Sequence, residues 1–143
     1  MTGIYGFTGK YRWLSNFPDC EVVVDGVIYP SVECGYQASK TNDMTERAKF
    51  IGIRSSEAKK LGPKVTLRPD WEHIKIDIMR NLLVQKFSRE PFRNKLLATG
   101  SAYIEETNWW GDTFWGVCNK KGENVLGKLI MEIREDLRKF IDS

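Results

Sequence analysis

The segment from Ser31 to Lys40 sets Glu33, Tyr36, Gln37 and Lys40 at spacings of three, four and seven residues. On a helix with ~3.6 residues per turn, these four share one face. A carboxylate, a phenol, an amide and an amine along one stripe make a poor core face. They suit a catalytic stripe, in which a partly buried lysine loses its proton and becomes nucleophilic while a nearby acid shuttles protons. The same pattern fits a solvated face with a Glu–Lys pair. Gly35 and Ala38 are small enough to let other elements approach this helix closely.

A second cluster runs from Glu105 and Glu106 through Trp109, Trp110, Gly111 and Asp112 to Phe114, Trp115 and Gly116. Aromatic faces hold purine-like bases, while carboxylates read base N–H groups or ribose hydroxyls. A loop whose tryptophans plug the end of the domain would have the same composition. Gly111 and Gly116 point to tight turns or close backbone approach. A third stretch, Gly9 to Phe17, holds Arg12, a plausible bidentate fork for phosphate, and Asn16, which could orient ribose hydroxyls; both also suit an ordinary loop. Gly122 to Gly127 opens a helix at Asn124, and a helix N-terminus favours an anion, but the strand and spacing of a dinucleotide fingerprint are missing.

These residues must be positioned by regular elements. Residues 21–29 read as a hairpin turned by Asp25-Gly26. Ser31 is the expected cap of a helix running to about Lys40. Asp43 with Glu46 suggests a capping box for a short helix ending near Ile51. Ser55 or Ser56 starts another, stopped by Gly62-Pro63. Asp70 caps a longer helix, about 71–87, with Trp71, Ile74, Ile78, Met79, Leu82, Leu83 and Phe87 in helical period. Pro91 and Gly100 bracket the next helix. Residues 102–106 and 114–118 read as short strands around a loop. Asn124 is the expected cap of the last helix, with Leu126, Leu129, Ile130, Ile133, Leu137 and Ile141 as its core stripe. The expected class is α+β, mainly helical, with residues 1–143 as one domain.

Composition narrows the function. The chain has 143 residues, 41% hydrophobic and 29% charged, which is ordinary globular usage. No apolar run reaches the ~20 residues of a membrane span. The first residues lack a signal-peptide pattern, so a cytoplasmic location is expected. A net charge of +3 permits an anionic ligand without demanding one. Cys20, Cys34 and Cys118 are widely spaced, with no Cys-x-x-Cys pair, which disfavours a zinc site or disulfide framework. The single histidine, His73, reads as a helix-surface residue.

Taken in order, the motifs resemble the NADAR, or YbiA-like, family of N-glycosidases. The matching blocks are Phe7-x-Gly9-x-Tyr11-Arg12-Trp13-Leu14-Ser15-Asn16-Phe17, then Ser31-Val32-Glu33-x-x-Tyr36-Gln37-Ala38-x-Lys40 and Asp70-Trp71 with Met79 and Lys86-Phe87. Thr99-Gly100, Glu106 with Trp110-Gly111-Asp112 and Trp115-Gly116, and Gly122-x-Asn124-x-Leu126-Gly127 complete the set. The likeness covers about residues 5 to 138. It implies an α+β fold built around several helices. It also implies a hydrolase of N-ribosyl bonds that needs no metal or cofactor.

The resemblance implies two substrate classes: ADP-ribosylated guanine in nucleic acid, and phosphoribosyl-amino-pyrimidine intermediates of riboflavin synthesis. Glu33 and Lys40 fall on the family's catalytic helix. Asn16, Trp71, Glu106, Asp112 and Trp115 fall on its pocket motifs. Phe17, Tyr36, Gln37, Gly116 and Asn124 lie in the same matched blocks and are expected to bind substrate. Two departures stand out. Cys34-Gly35 replaces His-Ala in the catalytic helix, and Pro18-Asp19 follows Phe17 where Tyr-Pro is common.

Two mechanisms suit these residues. In one, Lys40 attacks the anomeric carbon and forms a Schiff base that water hydrolyses, with Glu33 as general acid and base. In the other, Glu33 or Asp112 activates a water while the other supports an oxocarbenium-like centre. Trp71 or Trp115 would stack on the base, and Arg12 would hold phosphate. A non-catalytic binder of ADP-ribose or a nucleotide would use the same aromatic pocket without the lysine chemistry.

Overall fold

The structure, a computed structural model, describes residues 3–142. The fold is α+β and mainly helical, as expected. The chain forms two compact units. One comprises Asn16–Lys86. The other combines the residues up to Ser15 with those from Phe87 onward.

Strand β1 (Gly3–Tyr5) belongs to the second unit, and the elements of the first begin with a hairpin. The hairpin pairs β2 (Val22–Val24) with β3 (Val27–Tyr29), antiparallel, with Val23 opposite Ile28. Asp25 and Gly26 both take positive φ, 49° and 79°, as a type I′ turn requires. Helix α1 (Val32–Ala38) follows directly, and the Ser31 hydroxyl accepts from the Cys34 N–H at 3.1 Å. The helix stops before Lys40, which lies just past the Ser39 cap.

Every residue from Ser31 to Ser39 is buried. This overturns the solvated-face reading of the stripe. The cause is packing on several sides: the hairpin, α2 (Met44–Ala48) and α3 (Ser55–Leu61) all contact α1. A Cβ on Gly35 would lie 3.0 Å from Val22 Cγ2 and 3.2 Å from Leu82 Cδ2, so the small residue permits the close approach. Leu82 belongs to α4 (Trp71–Phe87), whose Met79, Leu82, Leu83 and Phe87 are buried as the periodicity requires.

Two expected signals work differently. Asp43 Oδ1 does cap α2, accepting from the Thr45 and Glu46 N–H groups. Glu46 does not close the box; its carboxylate takes the Thr41 hydroxyl and the Thr66 N–H. Gly62 does not end α3 in a left-handed conformation. Its φ is −50°, and the chain continues into a 3-10 turn, Gly62–Lys64.

The second unit pairs β1 in parallel with β4 (Tyr103–Glu105), Ile4 opposite Ile104. A 3-10 helix, Gly9–Leu14, follows β1. Helix α5 (Phe92–Ala98) ends at Gly100, whose φ is 65°. Helix α6 (Val125–Asp142) packs on β4 and α5, and buries Leu126, Leu129, Ile130 and Ile133. Leu137 is half-buried and Ile141 exposed, so the stripe fades over the last two turns. Between these helices β5 (Thr107–Asn108) runs parallel to β6 (Val117–Cys118). Residues 114–116 are not strand, because Asp112 turns that backbone. No described helix is long and apolar enough to cross a membrane.

Candidate active site

Glu33 sits in the first turn of α1, and its N–H donates to the Asn16 carbonyl at 3.0 Å. Its side chain is buried, with the residue only 8% exposed. The Gln37 amide, one turn on, donates to Glu33 Oε2 at 2.6 Å. Burial removes water from the carboxylate and raises its pKa; the Gln37 bond and the charges of Lys59 and Lys40 partly offset this. The acid therefore holds its proton to higher pH than an ordinary glutamate.

Lys40 has the complementary displacement. Burial lowers its pKa, with Glu33 pulling it back up and Lys75 pushing it further down. Its Nζ lies 5.6 Å from the centre of the Tyr36 ring. The backbone around it is fixed, since the Lys40 carbonyl accepts from the Arg68 N–H at 2.7 Å. One segment thus carries an acid pushed toward its protonated form and an amine pushed toward its neutral form. Environments that drive two titratable groups apart in this way assign acid and base roles.

Tyr36 and Trp71 are both buried and pack as a tilted pair, 5.1 Å between ring centres. Trp71 is only 5% exposed, so it offers little face for a base and instead backs Tyr36. Two amide oxygens in this unit, Asn16 Oδ1 and Gln37 Oε1, are buried with no hydrogen-bond partner among the described residues. An orphaned buried acceptor costs about 1–3 kcal/mol. Asn16 Nδ2 has only a long contact to Met79 Sδ, 3.8 Å. The Gln37 oxygen is packed against Gly62, which leaves Asn16 the less satisfied of the two amides.

Phe17 is half-buried; its carbonyl accepts from Ser55 Oγ at 2.8 Å, and Lys59 Nζ lies 6.0 Å from its ring centre. Cys34, the departure from the family pattern, is buried and donates its thiol to the Ile53 carbonyl at 3.4 Å. A separate cleft of about 540 Å³ lies on this unit between the hairpin and α4, and contains none of the sequence-predicted site residues. Its guanidinium groups are already engaged, Arg47 with Asp25 at 2.6 Å and Arg68 with Asp70 at 2.7 Å.

Sequence reasoning missed Gly62. A Cβ there would fall on Gln37 Oε1, so glycine is what lets the amide lie against this backbone and reach Glu33. The Gly62-Pro63 pair carries a stop signal that hides the packing role. Gly62→Ala should cost about 1–3 kcal/mol in overpacking and push the Gln37 amide off Glu33. Losing that donor raises the Glu33 pKa further. Thermal melts and a pH–rate profile check this: the melting temperature falls, and the limb set by Glu33 moves to higher pH.

The second unit positions the remaining residues. Arg12 is exposed on the 3-10 helix and makes no ion pair among the described residues, which leaves its guanidinium available. Asp112 Oδ1 accepts from the Phe114 and Trp115 N–H groups at 3.1 and 2.9 Å, which forms the turn before Trp115. Oδ2 has no hydrogen bond among the described residues. Trp115 is half-buried and meets Phe114 edge-on, so of the two expected stacking tryptophans it is the more accessible.

Glu106 Oε2 accepts from Asn108 Nδ2 at 3.0 Å. A Cβ on Gly116 would collide with this carboxylate, so Gly116 serves close approach, whereas Gly111, with φ of 87°, serves a turn. Asn124 does not cap α6. Its side chain accepts from the Glu106 N–H at 3.0 Å and donates to the Ile104 carbonyl at 3.0 Å and to Tyr103 OH at 3.4 Å. Both amide protons are spent on the fold, and its φ of 51° explains why asparagine suits the position. His73 is exposed on α4, as expected.

Comparison with known proteins places the chain. The family model for the NADAR domain matches residues 5–138. The chain is 37% identical to an N-glycosidase YbiA from Shigella boydii, over 96% of this chain and 88% of that protein. It is 33% identical to the riboflavin biosynthesis protein VVA0006 of Vibrio vulnificus, over 94% of this chain but only 40% of that protein's length. Among solved structures, the NMR structure of Escherichia coli YbiA matches with a TM-score of 0.84 at 33% identity, covering 97% of this chain and 85% of that one.

Proposed function

This chain belongs to the NADAR family, and on that premise we propose that it is an N-glycosidase that removes ADP-ribose from ADP-ribosylated guanine in nucleic acid. The observation that carries the enzymatic reading is the pair on one segment: Glu33 buried with its pKa raised, and Lys40 partly buried with its pKa lowered.

The proposed reaction starts at the anomeric carbon. Neutral Lys40 forms a bond to it as the bond to guanine breaks, and the base leaves with the proton from Glu33. The ionised Glu33 takes the surplus proton from the lysine nitrogen. Glu33 returns that proton to the ring oxygen as the sugar opens to a protonated imine; water then hydrolyses the imine, the ionised Glu33 takes the proton released, and ADP-ribose and the neutral amine are freed. Asn16, with its orphaned acceptor, is assigned to a sugar hydroxyl; for the other unit, the resemblance alone supports phosphate binding by Arg12 and base stacking by Trp115. For Glu106 and Asp112, too, a part in substrate binding rests on the resemblance. Direct water attack aided by Asp112 is the competing route. The activity is placed in the cytoplasm and needs no metal, so EDTA should leave the rate unchanged.

A second substrate has one observation in its favour: the likeness to a protein named for riboflavin biosynthesis. The chain spans 40% of that protein and 88% of an N-glycosidase named YbiA. The experiment compares kcat/KM on an ADP-ribosylated guanine oligonucleotide with that on phosphoribosylamino-pyrimidines. Preference for the oligonucleotide is the expected result. Preference for the pyrimidines would move the substrate to the second reading. Tight binding of ADP-ribose with no turnover of either would leave a binding module.

A further inference from the structure

Two tryptophans remain outside this chemistry. Trp109 is 78% exposed and Trp110 47% exposed, edge-on to each other with 4.9 Å between ring centres. Large exposed apolar groups held together mark an interaction site. They are not on a slack loop. Asn108 clamps it from both sides: Oδ1 accepts from the Asp112 N–H at 3.1 Å, and Nδ2 donates to the Asp112 carbonyl at 2.9 Å. Gly111 makes the turn between them with φ of 87°. The fold thus holds two indoles out toward solvent.

Their neighbours set the chemistry of the partner. Strands β5 and β6 are parallel, with Asn108 opposite Cys118. The residues after each strand therefore leave the same end of the ladder, with strand axes ~4.8 Å apart. After Asn108 come Trp109 and Trp110. After Cys118 comes a tight turn in which Asn119 and Lys120 both take positive φ, closed by paired backbone bonds between Cys118 and Lys121. Lys120 and Lys121 are both exposed. One end of one ladder displays two indole faces and two ammonium groups. Aromatic faces stack on unpaired bases of any sequence, and lysines neutralise the phosphates between them.

We propose that Trp109, Trp110, Lys120 and Lys121 form a seat for single-stranded nucleic acid, bases stacking on the indoles and phosphates meeting the ammonium groups. The seat rests on the nucleic-acid reading of the substrate. A purely apolar protein partner would use the indoles and leave the paired lysines without a counter-charge.

The test uses the full chain and an unmodified, fluorescently labelled, single-stranded oligonucleotide, followed by anisotropy. The W109A/W110A double variant should bind about tenfold or more weakly. K120A/K121A should lower the slope of log affinity against log salt by about 1.4. Both variants should hydrolyse a strand-free ADP-ribosylated guanosine at the wild-type rate, since neither pair has a role in the chemistry. Unchanged oligonucleotide binding in both variants overturns the seat, as does a loss confined to binding of a protein ligand. The two readings separate cleanly. If the modified oligonucleotide is turned over equally by wild type and variants, the substrate reading stands and the seat falls. If the modified strand is not a substrate but binding collapses in the variants, the seat stands and the substrate reading falls.

Discussion

Lys40→Met should reduce turnover by roughly a thousandfold or more, equivalent to about 4 kcal/mol of transition-state stabilisation. Methionine keeps the length and apolar body of the side chain and removes only the amine. Folding should be intact, because the Lys40 carbonyl keeps its bond from the Arg68 N–H and methionine fills the same partly buried space. Stability should hold or improve, since burial already penalises the charged amine. The sign follows from linkage. A lysine whose folded pKa is lowered supports the fold above its unfolded value and loses that support as pH falls through the folded value. Methionine removes that acid-side loss. Steady-state rates and thermal melts across pH check both parts. Activity near wild type in this variant would favour direct attack by water.

Glu33→Gln is the second large effect: a rate loss of about 10²–10⁴, the usual contribution of a positioned general acid. The glutamine preserves size and can still pair with the Gln37 amide, whose oxygen lacks a partner. Here the stability change has the opposite pH sense. Glu33 has a folded pKa above its unfolded value, so the unfolded chain ionises first as pH rises. Its support is complete below the unfolded value and is lost on the way up through the folded one. At neutral pH the variant should be more stable than wild type, by about 2–4 °C in melting temperature for each kcal/mol recovered. The gain should vanish in acid. Without its carboxylate neighbour, Lys40 should also titrate lower. A variant that loses both activity and stability at neutral pH would mean that Glu33 serves the fold.

The sequence disclosed the long elements and the sharp turns, because each is a local property. Asp25-Gly26 must take positive φ to close a two-residue hairpin. Met79, Leu82 and Leu83 recur at helical spacing because one face of α4 is buried. The stripe on α1 was visible as chemistry, but its burial was not. Glu33, Gln37 and Tyr36 look solvent-facing in any periodicity, and only packing by distant elements hides them.

Long-range pairing was the blind spot. Residues 114–118 have the composition of a strand, yet Asp112 claims the N–H groups of 114 and 115 for a turn, leaving only Val117 and Cys118 to pair with β5. Asn124 sits where a cap is expected, but its amide goes to β4 and the residue after it. Gly62 carried the composition of a helix stop while serving Gln37. In each case, the partner that decides the role is far away in the chain.

The most direct measurement is borohydride reduction during turnover, followed by peptide mass mapping. With ADP-ribosylated guanine as substrate, an irreversible ADP-ribosyl attachment on the Lys40 amine, missing from Lys40→Met, is the predicted result. Steady product release with no attachment anywhere, or attachment at a different side chain, would contradict the role given to that amine.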